Sequence, residues 1–446
     1  MDTSAAPSPP APASRATNRR DFVKLLGAAG LLAAAGGAAP SVRAAGESDK
    51  TQPAPAPENL IDGTPVVFAP AEDSATIAWT VSGPARGWVE YGTDPEKLDQ
   101  RSGGDTLGFI PHHERVLKVR LKGLAPGTRY WWRAASVALA SFKANVKTYN
   151  PPKDPPPVYT GVYSFSTLSP SAPETHFAVW NDTHARTETV VRLAALTSDP
   201  AAPRPDFLVW NGDITRVNHN DPSLIPDVYM HPGGTVDLAK GPPVFIVRGN
   251  HDIRGTWANK LPDYVDFPDT HENNVARPYY AFRSGPLAAI VLDTGENRPD
   301  WHSSYLGLAA FDSLIAEQAR WLQKIIGRPD IKNAPLKVVF CHIPLRWTNE
   351  KAPDYNAEPP QGDRFSKRGR DAWHDSLVQW GARLIISAHV HRWTHIPADA
   401  HFPYAQITGA GPEMDKALLL RGHATPAGLK ITAIDTKGRE VQSVTV

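Results

Sequence analysis

The chain has 446 residues, which is more than one domain usually contains. Its 47 basic and 46 acidic residues give a formal net charge of +1, so nothing marks its surface as a binder of nucleic acid. The single cysteine, Cys341, excludes an intrachain disulfide. The hydrophobic fraction of 41% is sufficient for proper cores. We therefore expect two folded domains and a targeting segment, with no nucleic acid among the partners.

The N-terminus resembles a twin-arginine export signal over residues 1–44. The paired Arg19 and Arg20 are followed by Phe22 and then by the uncharged, Ala- and Gly-rich segment 25–39. Small residues near the end of the signal suit cleavage there. The alternative is an uncleaved anchor, but this apolar segment is shorter than the ~20 residues that a spanning helix needs. The resemblance implies the twin-arginine translocase as a partner, a periplasmic or secreted location and no stable membrane association.

A proline-rich linker over residues 45–60 leads into an all-β pattern over residues 61–170. Alternating apolar and polar residues between turn residues predict strands at 76–81, 87–92, 116–121 and 162–167. The segment 124–133 resembles a corner of fibronectin type III domains, in which a tyrosine hydroxyl bonds back to the backbone upstream. Tyr130 would fill that role. We therefore expect an all-β, fibronectin type III-like sandwich here.

From residue 174 to the C-terminus the pattern changes to strands alternating with helices. The apolar runs are short and continuous, as strands buried on both faces require, and they lie at 177–180, 207–210, 244–247, 288–292, 337–340 and 384–386. Apolar residues at helical spacing between 314 and 326 predict a helix that covers a sheet. We therefore expect an α/β domain over residues 174–446, with layered β-sheets flanked by helices.

Five short polar motifs occur in order along this domain, each at the end of an apolar run. A single D-x-H triplet or G-D pair arises by chance, but the ordered set indicates a dinuclear metal site for phosphoester hydrolysis. The candidate ligands are Asp182, His184, Asp213, Asn250, His342, His389 and His391.

Two divalent ions about 4 Å apart need a shared anionic ligand, and Asp213 is the natural bridge. We expect one site from Asp182, His184, Asp213 and His391, and another from Asp213, Asn250, His342 and His389. Oxygen and nitrogen ligands without thiolate suit Mn, Fe, Zn or Co. Because two carboxylates only partly neutralise two divalent ions, the remaining positive charge would attract phosphate and favour a bridging hydroxide as the nucleophile.

Two further pairs of residues are candidates for catalysis and substrate binding. His251, next to the ligand Asn250, is placed to supply a proton to the leaving oxygen, and Asp252 would orient its imidazole. Arg216 and His219 follow the bridging aspartate closely and could contact the substrate. The alternative for these last two residues is an ordinary surface or packing role.

The motifs resemble those of the calcineurin-like metallophosphoesterase superfamily, D-x-H, G-D, G-N-H-D/E, H and G-H-x-H. The resemblance covers essentially the whole of 174–446 and implies a phosphoesterase with a dinuclear metal centre. A fibronectin-like domain ahead of it is similar to the arrangement in purple acid phosphatases. However, His184 stands where that subgroup has glycine, and Arg216 stands where it has the tyrosine that binds iron. Ala388 also replaces the glycine of the last motif. We therefore expect no purple chromophore.

The sequence thus predicts an exported, metal-dependent phosphoesterase that acts on small-molecule phosphomonoesters, phosphodiesters or both. One alternative is a non-catalytic protein that binds phosphate or a partner on the same scaffold, but the complete ligand set argues against it. A nuclease is disfavoured by the balanced charge. The choice between monoester and diester stays open. Arg216 and the residual metal charge favour a dianion, whereas a D-x-H motif without the tyrosine resembles diesterases more closely.

Overall fold

A computed structural model describes residues 59–103, 108–139, 155–216, 218–268, 277–347 and 363–446. The predicted signal and nearly all of the linker lie outside these residues. The strands, in chain order, are β1 (Val66–Phe68), β2 (Ser74–Thr80), β3 (Ala85–Gly92), β4 (Gln100–Ser102), β5 (His112–His113), β6 (Val116–Lys122), β7 (Arg129–Ala138), β8 (Val158–Tyr159), β9 (Tyr163–Ser166), β10 (Thr175–Trp180), β11 (Phe207–Asn211), β12 (Val244–Val247), β13 (Tyr280–Ser284), β14 (Leu287–Leu292), β15 (Leu336–Cys341), β16 (Leu384–Ser387), β17 (Thr394–Ile396), β18 (Ala405–Thr408), β19 (Leu418–Thr425), β20 (Gly428–Asp435) and β21 (Glu440–Thr445). The α-helices are α1 (Thr187–Thr197), α2 (Ile225–Tyr229), α3 (Leu261–Tyr264), α4 (Phe311–Ile325), α5 (Pro329–Lys332) and α6 (Asp363–Trp380). Within the described ranges, no helix combines the length and apolarity needed to cross a bilayer.

The first nine strands form two facing layers. One layer is a sheet of β4, β3, β7 and β8, to which β5 and β9 also pair, and the other contains β1, β2 and β6. Trp79, Leu117 and Trp132 are buried in the core between the layers. The backbone N–H of Ala125 donates to the hydroxyl of Tyr130 at 2.9 Å, which is the corner hydrogen bond that the sequence predicts.

The layer of β1, β2 and β6 continues into the following part of the chain. It belongs to a nine-stranded sheet with the order β21-β20-β19-β10-β11-β12-β1-β2-β6. The joint is a parallel pairing of β1 with β12, in which Phe68 lies opposite Val244, and the N–H of Ala69 donates to the carbonyl of Val244 at 3.0 Å. The change of pattern near residue 174 therefore does not divide one sheet from another.

A second sheet, with the order β13-β14-β15-β16-β18-β17, packs against the first through a shared apolar core. Phe177 of β10 meets Phe340 of β15 edge to face, with ring centroids 5.9 Å apart. On the second sheet's other face, Leu322 of α4 and Trp373 of α6 pack with Val339. The predicted mixed α/β arrangement of layered sheets and helices is therefore confirmed.

Parallel strands bring the polar motifs to one edge. In the first sheet, β11 pairs in parallel with β10 and β12. In the second sheet, β15 pairs in parallel with β14 and β16. Ligands follow the carboxyl ends of strands, where sites in α/β folds form. The amide of Asn211 donates to Asn181 Oδ1 at 3.1 Å and to the Ile386 carbonyl at 3.3 Å, so the two sheets are joined directly below this edge.

Candidate metal centre

Four predicted ligands from three loops meet in the first ion site. Asp182, His184, Asp213 and His391 each offer a ligand atom, and these atoms all lie within 4.8 Å of one another. The Nε2 atoms of His184 and His391 are 3.0 Å apart, and that of His391 is 3.5 Å from Asp182 Oδ1. His184 Nε2 is 3.7 Å from Asp213 Oδ2. This group has the composition predicted for one ion.

The second group shares Asp213 with the first. Asp213, His342 and His389 likewise offer ligand atoms within 4.8 Å of one another. His342 Nε2 lies 3.3 Å from Asp213 Oδ1 and 3.2 Å from Asn250 Oδ1, which brings the predicted amide ligand into the group. The Asp213 carboxylate faces one group with each oxygen, as a bridging ligand must.

The backbone is unusual at most of these positions. Five of the seven candidate ligands have φ between 45° and 71°. They are Asp182, His184, Asp213, His389 and His391. The left-handed region is uncommon for residues other than glycine, and such strain concentrates where surrounding structure requires it at functional sites. The strained turns direct side chains from separate loops towards one point.

Two motif glycines permit the close approach of the loops. A Cβ atom on Gly212 would collide with the ring of His342, and Gly212 also has a φ of 82°. A Cβ atom on Gly249 would collide with the backbone and carboxylate of Asp213. The glycines of the G-D and G-N-H-D motifs are therefore needed to bring the second ion's ligands together.

Burial and charge determine the protonation of the group. Burial lowers the pKa of His184 to about 4 and that of His389 to about 3, so both imidazoles are neutral and able to bind a metal at neutral pH. Burial opposes charge on His342 too, but the Asp213 and Asp182 carboxylates outweigh it and raise the pKa of His342 to about 9. Burial raises the pKa of Asp182. Burial therefore disfavours the charged form of the carboxylate, and a positive charge nearby stabilises that form.

The residues fit a pair of divalent metal ions. His184 presents Nε2 to the first group, and Nδ1 of His389 is buried without a hydrogen-bond partner within the described part of the chain. An unpaired buried nitrogen is costly unless another group binds it, and coordination provides such a group. The two carboxylates, one amide and four imidazoles form the ligand set of a dinuclear divalent centre.

Asp252 differs from its expected role. Its fully buried carboxylate accepts the backbone N–H groups of Gly249 at 2.8 Å and of Ile214 at 3.0 Å, and the hydroxyl of Tyr229 at 2.7 Å. The described contacts of Asp252 do not include the imidazole of His251. The expected orientation of that ring by Asp252 is therefore not what the structure shows, because this carboxylate instead ties together the two loops that carry Asp213 and Asn250.

His251 lies beside the bridging carboxylate and is held by a residue that sequence reasoning missed. The backbone N–H of His251 donates to Asp213 Oδ1 at 2.8 Å, and its ring Nε2 is 3.9 Å from Asp213 Oδ2. Nη1 of Arg254 lies 3.2 Å from the same ring nitrogen. Glu296, fully buried, holds the Arg254 guanidinium through two contacts of 2.7 Å. No local pattern signals this pair, since 42 residues separate its members.

The two predicted substrate contacts have different positions. Arg216 is exposed on the loop after Asp213. His219 is 4% exposed, and its ring Nε2 lies 3.2 Å from the Tyr229 hydroxyl. A buried ring that contacts Tyr229 has a packing position, so the structure does not support a substrate contact by His219.

A cavity of about 770 Å³ reaches Arg254, the residue that contacts His251, although none of the seven candidate ligands lines it. Arg254 and Arg248 line it, together with apolar residues that include Ile253 and Leu308. Arg248 is paired with the buried Asp293 at 2.6 Å, as Arg254 is with its own carboxylate. The part of the wall formed by Arg254 and Arg248 is therefore polar but largely neutralised, and other parts of the wall are apolar.

Comparison with known proteins agrees with this geometry. Residues 175–393 match the model of the calcineurin-like phosphoesterase family. Purple acid phosphatase 21 of Arabidopsis thaliana is 22% identical over 319 residues, covering 68% of this chain and 59% of its own length. This chain thus spans less than two thirds of that relative.

Two solved structures are similar in fold. Purple acid phosphatase PPD1 from yellow lupin (Lupinus luteus) seeds superposes with a TM-score of 0.58 at 13% identity, covering 85% of this chain and 73% of its own. The structure of PhoD gives 0.57 at 12% identity, covering 86% and 92%. The family match supports the predicted phosphoester hydrolase. Residues 175–393, just under half of the chain, are therefore similar to a calcineurin-like phosphoesterase domain.

Proposed function

We propose that the protein is an exported, metal-dependent phosphoesterase that hydrolyses small-molecule phosphodiesters and also phosphomonoesters. The observation that carries the proposal is the meeting of all seven predicted ligands in two groups that share Asp213. A scaffold that had lost catalysis would have no need to keep two complete groups or five strained ligand positions.

Each ligand has a defined task in this proposal. Asp182, His184 and His391 would hold one ion, and Asn250, His342 and His389 would hold the other, while the Asp213 carboxylate would serve both. When bound, the two ions would supply Lewis acidity and lower the pKa of a bound water. The identity of the metals is not specified by this set of nitrogen and oxygen ligands.

His251 is the proposed proton donor to the leaving oxygen. Its imidazole is 27% exposed and lies near both the bridging carboxylate and Arg254, which lines the cavity, so we place it within reach of a bound ester. The guanidinium of Arg254 can only donate hydrogen bonds. Nη1 of Arg254 lies 3.2 Å from Nε2 and 3.5 Å from Nδ1 of His251, so the ring nitrogen that accepts from it carries no proton and the other nitrogen of the neutral ring is the donor.

The cavity supports the inclusion of diesters. A diester brings a second organic group that needs space near the centre, and the cavity that reaches Arg254 offers about 770 Å³. Because buried Asp293 and Glu296 neutralise the arginines nearest to the centre, this wall does not select strongly for a second negative charge. We therefore favour a broad phosphoesterase whose cavity takes the organic part of the ester.

Metal analysis combined with two nitrophenyl esters tests the proposal. We expect two divalent metal equivalents per chain and turnover of bis-p-nitrophenyl phosphate, with p-nitrophenyl phosphate also hydrolysed. Asp213→Asn serves as the inactive control. Protein that holds both metals but turns over neither ester would favour the non-catalytic phosphate-binding alternative, and protein that binds no metal would reject the centre itself.

Export is a separate part of the proposal and rests on the paired arginines of the N-terminus. Replacing Arg19 and Arg20 together by lysine should retain the phosphoesterase in the cytoplasm of a twin-arginine-competent bacterial host. The unchanged chain should reach the periplasm or medium. Equal export of both proteins would exclude this route without affecting the proposed chemistry.

A further inference from the structure

A second group of side chains with potential metal-ligand atoms lies away from the candidate centre. Glu174, His176 and His423 each offer one ligand atom, and these atoms lie within 4.8 Å of one another. His176 is in β10 and lies opposite His423 of β19, while Glu174 directly precedes β10. Extended chain rising about 3.3 Å per residue places His176 roughly 20 Å before Asp182, so the group is at the far end of the strand from the centre.

Both imidazoles present the same nitrogen to one carboxylate. Nε2 of His423 is 2.8 Å from Glu174 Oε2, and Nε2 of His176 is 3.7 Å from Glu174 Oε1. Ligand atoms around a tetrahedral zinc ion, at about 2.1 Å from it, lie about 3.4 Å from each other. The separations in this group bracket that value, so rotation of the imidazoles out of their stacked arrangement would bring all three atoms onto one ion.

The surroundings favour a cation between these side chains. The two rings are stacked, with centroids 4.3 Å apart and planes inclined by 7°, so protonating both would place like charges in contact. Asp206 brings a second carboxylate, whose Oδ2 accepts the backbone N–H of His176 at 2.9 Å. Lys430, opposite His423 in β20, brings a positive charge that disfavours a bound cation. Glu440 lies 3.8 Å from the Lys430 ammonium and partly offsets that charge.

We propose that Glu174, His176 and His423 form a separate site for a borderline divalent ion such as Zn²⁺. Two imidazoles and one carboxylate without thiolate suit this class of ion. The side chains are 24–51% exposed, so solvent can occupy the remaining coordination position and the ion can exchange. The ion would link β10 to β19 and to the segment that enters β10. It would therefore stabilise the fold and take no part in the reaction.

Zinc stoichiometry of the full chain tests the site directly. Equilibrium dialysis against Zn²⁺ should give one metal equivalent more for the unchanged protein than for His423→Ala or for Glu174→Gln. His112→Ala, which removes a histidine from the N-terminal strand β5, is the matched control and should keep the full stoichiometry. The difference of one equivalent is independent of how many ions the candidate centre holds.

A second measurement distinguishes stabilisation of the fold by this ion from an effect on hydrolysis. Zn²⁺ added beyond saturation of the centre should raise the melting temperature of the unchanged protein and of His112→Ala, but not that of Glu174→Gln, because binding to the folded state alone stabilises it. Hydrolysis of bis-p-nitrophenyl phosphate should be the same in all three. Equal zinc stoichiometry in the unchanged protein, His423→Ala and Glu174→Gln would overturn the proposal, whatever the activity.

Discussion

Nη1 of Arg254 lies 3.2 Å from Nε2 of His251, and the guanidinium that makes this contact is held by a fully buried carboxylate. The contact makes Arg254 a positioning residue for the proposed proton donor. The nearby Arg248 is a natural comparison, because it lines the same cavity and pairs with its own buried carboxylate, Asp293.

Arg254→Lys should lower kcat by up to about 10²-fold, since loss of the planar two-point contact with Glu296 lets the His251 ring shift. Metal content should not change. Arg248→Lys, the matched control, should have a much smaller effect on kcat. Steady-state kinetics with bis-p-nitrophenyl phosphate measures both variants, and equal losses would mean that Arg254 acts only by maintaining the cavity wall.

Asp213→Asn should remove both ions, because an amide cannot bridge two cations as a carboxylate does. His184→Ala should weaken chiefly the ion that His184 shares with Asp182 and His391. Changing a residue that only supports a ligand costs about 10–100-fold in metal affinity, so losing the ligand itself should cost at least that much. Metal content at defined free metal concentration is the measurement. Retention of both ions by Asp213→Asn, with loss of both in His184→Ala, would contradict the bridging assignment.

His251→Ala should keep both metals yet lose on the order of 10²–10⁴ in kcat, the usual contribution of a positioned acid. Esters whose leaving group needs no proton should be affected less than esters of poorer leaving groups. A series of aryl phosphodiesters with leaving groups of increasing pKa would show this as a steeper dependence of kcat on that pKa in the variant. Parallel dependences would assign His251 some other role.

Arg216→Ala should impair the monoester selectively if this exposed guanidinium recognises the second negative charge of the dianion. At about 4 Å in water the interaction corresponds to roughly a five-fold change in kcat/KM. Arg216→Lys keeps the charge and is the control. The ratio of kcat/KM for p-nitrophenyl phosphate to that for bis-p-nitrophenyl phosphate is the readout, and an unchanged ratio in Arg216→Ala would remove Arg216 from substrate selection.

The strands and the positions of the candidate ligands after them were predictable because both leave local signals. Buried parallel strands give continuous apolar runs, as at β10, β11 and β15, and each ligand follows such a run within a few residues. The conformation of those ligands was not predictable, since the left-handed backbone of Asp182 or His391 arises from loops packed against one another.

The support of the site was also beyond local reasoning. Asp252 was expected to bind its sequence neighbour His251, but it binds backbone N–H groups of another loop, Ile214 among them. Arg254 finds its carboxylate 42 residues away. Pairings of this kind are set by the fold, so only the folded chain identifies the residue that holds the imidazole.

The pairing of β1 with β12 has a consequence for how the chain can be divided. If the chain began at β10, the backbone N–H and C=O groups of β12 on the edge that faces β1 would be unpaired. The buried residues Val244–Val247 would then lie in an exposed edge strand. A bare, apolar edge strand invites pairing with another molecule and aggregation. The N-terminal strands therefore cover the edge strand β12 of the first sheet. A catalytic fragment prepared without them is expected to aggregate.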